Sequence, residues 1–144
     1  MYTYTVPGDK WQRLIAATFT LTTSAAAANR IVTVDYGQAN EGLFLSDGAA
    51  VVQTASLTNT YFGSNERGNS DWNTGTPAFF PLWGGFLESG TTVTVNVAAI
   101  DTDDQLSGIV LTFETFEVGN GGYMVGGVDT EDYGMPVTVF PDAQ

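Results

Sequence analysis

Thr91-Thr92-Val93-Thr94-Val95-Asn96-Val97-Ala98-Ala99 is the stretch on which the reading of this chain turns. Val93, Val95 and Val97 alternate with Thr92, Thr94 and Asn96, and a period of two sends successive side chains to opposite faces of a strand. Valine and threonine also suit a pleated, half-buried surface. Toward the C-terminus, Ile109, Leu111 and Phe113 repeat the pattern against Thr112 and Glu114. Toward the N-terminus, Val32, Val34 and Tyr36 repeat it. So do Ile15, Ala17, Phe19 and Leu21, set on one face opposite Thr18 and Thr20.

Weaker strands are expected over residues 42–46, 51–57, 60–62 and 78–87, separated by the turn signals Ser46-Asp47-Gly48, Ser89-Gly90 and Asn120-Gly121-Gly122. Two readings stand for Ser24 to Ala28: a short helical turn capped by Ser24, or a small-residue loop. Strands do not alternate with helices. The expected fold is all-β, an antiparallel β-sandwich of jelly-roll type with an extended Gly-rich C-terminal arm. Its parts are an N-terminal arm over residues 1–10, the sandwich over 11–118 and a C-terminal extension over 119–144. With 144 residues there is room for one core.

Composition narrows function further. Cysteine and histidine are both absent, which removes disulfides, thiolate metal sites and the commonest general base. Four basic residues, Lys10, Arg13, Arg30 and Arg67, stand against sixteen carboxylates, for a net charge of −12. Nucleic acid and anionic membranes call for clustered cations, so neither is an expected partner. An acidic surface favours solubility and a basic partner. Residues 1–10 lack the basic start and apolar run of a secretory signal, and no apolar run approaches the ~20 residues of a membrane helix. The chain is therefore expected to be made in a cytoplasm.

A few constellations carry chemistry or contact. Asp101, Asp103 and Asp104 crowd one turn and form a calcium candidate, although the glycine and distal glutamate of an EF-hand loop are missing. Arg30 is expected to hold a carboxylate such as Asp104 bidentately, a structural role for both residues. Tyr61, Phe62, Phe79, Phe80, Trp83 and Phe86 read as core, whereas Trp72 sits in the polar loop of residues 65–77 and reads as exposed. Tyr2 and Tyr4 in the N-terminal arm, Trp72, and Val137, Val139 and Phe140 in a proline-bracketed C-terminal strand are the interface candidates. No serine has a base beyond Lys10, and no pair of carboxylates is marked by its context. Neither an enzymatic activity nor a cofactor is expected.

The order of these segments is similar to that of a group of small tailed-phage virion proteins. The likeness is carried by Pro7-Gly8-Asp9-Lys10-Trp11-Gln12-Arg13-Leu14, by Thr22-Thr23-Ser24-Ala25 leading to Asn29-Arg30-Ile31-Val32, and by Phe80-Pro81-Leu82 through Ser89-Gly90-Thr91-Thr92-Val93-Thr94-Val95. Asp101-Thr102-Asp103-Asp104-Gln105-Leu106 to Leu111-Thr112 follows in the same order. The match covers about residues 7–117 and excludes the tail from Val118. The resemblance implies a capsid decoration (cement) protein on the outer shell of a phage particle. It would bind the major capsid protein and further copies of itself, a trimer being favoured, after synthesis in the bacterial host. The alternative is a carbohydrate- or receptor-binding module of a phage head or tail fibre.

Overall fold

The structure, a computed structural model, describes residues 1–38, 40–66, 77–117 and 137–139. It is all-β there, with no helix. Nine strands follow one another: β1 (Tyr2–Thr5), β2 (Lys10–Thr22), β3 (Arg30–Gln38), β4 (Gly42–Gln53), β5 (Thr58–Ser64), β6 (Ala78–Pro81), β7 (Thr91–Ala98), β8 (Gln105–Glu117) and β9 (Val137–Val139). They form two sheets, one ordered β1-β7-β3-β4 and the other β6-β5-β2-β8-β9. Every ladder is antiparallel except β5–β6, which is parallel, so the fully antiparallel expectation is corrected at that one edge.

The alternation explains the core. Val93, Val95, Val32, Val34 and Tyr36 are fully buried on the inner face of the smaller sheet, with Val97 nearly so. Leu14, Ala17, Phe19, Leu21, Tyr61, Phe80, Leu111 and Phe113 meet them from the larger one. Each buried valine, leucine or phenylalanine among them contributes about 1.5–3 kcal/mol for leaving water. In β2 the phase slips. A bulge between Leu14 and Ala16 puts Leu14 in the core and leaves Ile15 half-buried on the other face, where Ile15 had been expected inside.

Ser46-Asp47-Gly48 is strand and not turn, because β4 runs continuously along β3 and absorbs its extra residues in two irregularities, between Ile31 and Thr33 and between Tyr36 and Gly37. The second contains Phe44, which faces no residue of β3. Gly37 lies opposite, where a Cβ would come within 2.8 Å of the Gly42 carbonyl oxygen, so the close approach there requires glycine. Of the expected strand over 78–87, only β6 forms, with Leu87 making a single bridge to Gln12. Residues 24–28 are a loop. Two of their carbonyls are satisfied by a side chain instead of by a helix, Arg30 Nη1 donating to Ala26 O at 2.8 Å and to Ala28 O at 3.1 Å, while Ser24 O accepts from the Ser56 N–H at 2.8 Å.

Residues 2–5 are not a free arm. They pair with β7 in the register Tyr2–Val95 and Tyr4–Val93, which turns both tyrosines inward against the core.

Candidate functional site

Charge is concentrated first at Arg30, whose side chain and that of Asp104 are wholly shielded from solvent. Nε donates to Asp104 Oδ2 at 2.8 Å and Nη2 to Oδ1 at 2.9 Å. The remaining N–H groups go to Ala26 O, Ala28 O and, at 3.2 Å, Ser24 Oγ. Asp104 also accepts from the backbone N–H of Ser24 at 2.7 Å and of Asp101 at 2.8 Å. Burial alone would raise its carboxyl, but the hydrogen bonds from Arg30, Asp101 and Ser24 hold it well below the usual carboxylate range.

The aspartate turn is thereby committed. Asp104 already accepts four hydrogen bonds, and Asp101 Oδ1 takes Ser24 Oγ and the Asp103 N–H, both at 3.2 Å. Among the described residues no group of three or more carboxylates is arranged to hold a metal ion. The arrangement is a structural clasp that ties the start of β3 to the start of β8.

A second concentration lies on the long edge strand β4. Leu43 is 63% and Phe44 52% exposed, and Trp83, from the segment after β6, is 37% exposed. The Phe44 and Trp83 rings stand nearly perpendicular, centroids 6.3 Å apart at 78°. Buried Tyr36 packs edge-on behind Trp83 at 5.8 Å and 71°. Trp83 is placed by its neighbours. Its indole lies over Gly85, where a Cβ would fall 2.0 Å from the ring. Its backbone N–H donates to Asp47 Oδ2 at 2.5 Å.

Asp47 faces Val34 across the ladder and so points toward the inner side of the sheet edge. Burial raises its carboxyl above the ordinary value, partly offset by the Trp83 N–H and by Tyr36. The Tyr36 hydroxyl lies within electrostatic reach of Asp47, yet no acceptor stands at hydrogen-bonding geometry to it. Burial first, then the charge of Asp47, push this hydroxyl far above its usual range, so it stays neutral.

The third feature is an open groove of about 570 Å³ on the outer face of the larger sheet, lined by Arg13, Ile15, Ala16, Asn65, Glu66 and Glu114, with Ser64 at its margin. Arg13 Nη2 is paired with Glu114, and its guanidinium lies 5.7 Å from the Phe86 ring centroid. Ile15, displaced by the β2 bulge, is one of the groove's lining residues.

The interface residues expected from sequence fall differently. Tyr2 and Tyr4 are half-buried; Tyr4 packs on Phe113 at 4.6 Å and donates its hydroxyl to Gln12 Oε1 at 2.9 Å. Val137 and Val139 belong to β9, paired with Phe113 and Leu111. Trp72 and Phe140 lie outside the described residues, as does most of the 65–77 loop and of the C-terminal extension. Trp83 and Phe86, expected in the core, are exposed. Leu43 and Phe44 were not singled out at all, although the unbroken apolar run Leu43-Phe44-Leu45 is itself a signal, since a regular half-buried strand would alternate. No protein-family model, curated protein or solved structure matches this chain.

Proposed function

We propose that the chain is a structural virion protein, a capsid decoration (cement) protein of jelly-roll type. In this reading it binds and stabilises a shell of major capsid protein from the outside as a homo-oligomer, a trimer being favoured. The observation that carries the reading is the edge of β4, where Leu43, Phe44 and Trp83 expose large apolar surface beside carboxylates on a rigid two-sheet body. Long edge strands are normally blunted against pairing, and clustered exposed aromatics are typical of protein contacts. The order of sequence segments supplies the phage context, and a charge of −12 suits an outer surface better than contact with packaged DNA.

A second reading, a saccharide- or receptor-binding module, draws on the polar groove around Arg13, Asn65, Glu66 and Glu114. Electron cryomicroscopy of particles carrying the chain separates the two. Density spread over the shell at threefold and quasi-threefold positions is expected. Density confined to a tail fibre, with glycan binding that Glu66→Ala abolishes, would replace the first reading by the second.

A further inference from the structure

The corner on β4 has a chemistry more particular than apolar contact. Two exposed rings, Phe44 and Trp83, meet at 78°, and a half-buried carboxylate, Asp47, is held at their base by the Trp83 backbone N–H. An aromatic face attracts a cation through its quadrupole, and a carboxylate beside it adds a counter-charge. Among the described residues, the only hydrogen bond of good geometry to Asp47 is the one Oδ2 receives from Trp83. The buried Tyr36 hydroxyl behind the corner faces the same carboxylate without reaching good hydrogen-bond geometry to it. Glu41 on the loop leading into β4 and Glu88, which accepts from Gln38 at 2.6 Å, add negative charge at the same end of the sheet.

We propose that this corner receives an arginine side chain of a partner protein, its guanidinium stacked on the exposed rings and paired with the Asp47 carboxylate. Arginine fits better than lysine because its guanidinium is planar, weakly hydrated and able to stack while it hydrogen-bonds a carboxylate. The partner is a different protein. Among the described residues every basic side chain already has an acidic neighbour: Arg30 is enclosed by Asp104, Arg13 is paired with Glu114, and Lys10 lies 3.6 Å from Asp9, while Arg67 lies outside them. A net charge of −12 also favours a basic surface as the partner. The corner is preorganised, since Gly85 leaves the space in which the Trp83 indole lies.

The inference rests on the protein-docking reading above, and its test has two arms. In the first, the full-length ¹⁵N-labelled chain is titrated with the peptide Gly-Arg-Gly and with its neutral isostere Gly-citrulline-Gly, while the Trp83 indole N–H signal is followed. A saturable shift with the arginine peptide is expected, about tenfold weaker with citrulline and equally weakened in Asp47→Asn and Phe44→Ala. Gly85→Ala keeps all three groups but displaces the indole, and it should lose the response with an unchanged far-ultraviolet circular dichroism spectrum. Equal shifts with both peptides, or an unaltered response in Asp47→Asn, would overturn the proposal.

The second arm measures sedimentation with capsid shells. Wild-type binding reduced about tenfold by Asp47→Asn is expected. Wild-type and Asp47→Asn chains that bind shells equally would sink the arginine corner and leave the decoration reading in place. An arginine response with no shell binding at all would do the reverse. Concentration-dependent self-association that Arg67→Gln abolishes would assign the corner to a second copy and overturn the choice of a different protein.

Discussion

The guanidinium of Arg30 lies against the carboxylate of Asp104, Nε 2.8 Å from Oδ2 and Nη2 2.9 Å from Oδ1, with neither side chain exposed. The two residues are far apart in sequence, so the contact clamps the loop after β2 to the loop before β8. Every N–H of the guanidinium has an acceptor. A buried pair so fully satisfied is costly to break from one side, although replacing both members can be neutral.

Asp104→Ala is accordingly expected to lower stability by about 3–5 kcal/mol, because it leaves a buried guanidinium without its counter-charge. Arg30→Ala should cost a similar amount. The double replacement Arg30→Met with Asp104→Leu should recover most of the loss. Urea unfolding followed by tryptophan fluorescence measures all three; single variants within about 0.5 kcal/mol of wild type would show that the clasp is dispensable.

The same carboxylate sets an acid dependence. The native pKa of Asp104 is depressed below its unfolded value of about 3.9, so its contribution is fully present above that value and is lost as pH falls through the native pKa. Stability should therefore decline from about pH 5 downward, and Asp104→Asn should show a shallower decline over the same range. Parallel curves for the two proteins between pH 5 and 2.5 would locate the acid sensitivity elsewhere.

The N-terminal residues make the next case. Tyr2 and Tyr4 pair with Val95 and Val93, and Tyr4 reaches Phe113 and Gln12 of the opposite sheet. Deleting residues 1–5 should lower stability by about 2–4 kcal/mol, since two half-buried aromatic side chains and one edge ladder are lost. The deletion also bares β7, whose alternating Thr-Val sequence then becomes an open pairing edge, so concentration-dependent aggregation is expected. A truncated chain as stable and as monodisperse as the full one would return these residues to the role of a free arm.

What could be read beforehand followed from periodicity. Val93, Val95 and Val97 alternate without interruption, and β7 formed almost where they put it. The Arg30–Asp104 pair was also legible, because so few cations serve so many carboxylates that a lone arginine at a strand start has an obvious partner. Bulges were not legible. The slip at Ile15 and the extra residue at Phe44 depend on how neighbouring strands fit together, which one strand's own sequence does not record. Trp83 was misread because density of aromatics says nothing about direction. The pair Gly84-Gly85 beside it was the available sign of a ring lying close over backbone.

Asp47 gives the last prediction. Its native pKa is raised, mainly by burial, so the charged form is disfavoured by folding. The sign is opposite to that of Asp104: the charged carboxylate weakens the fold above its native pKa, and the penalty fades as protonation proceeds at lower pH. Asp47→Asn keeps an oxygen for the Trp83 N–H and removes the charge. At pH 7 the variant should melt about 1–3 °C above wild type, with the difference closing toward pH 4. The same variant should lose partner binding as it gains stability, which is the expected signature of a charge held at a cost for contact. A variant that is less stable at pH 7 would mean that the carboxylate serves the fold itself, through Tyr36 and Trp83, and has no charge to spare for a partner.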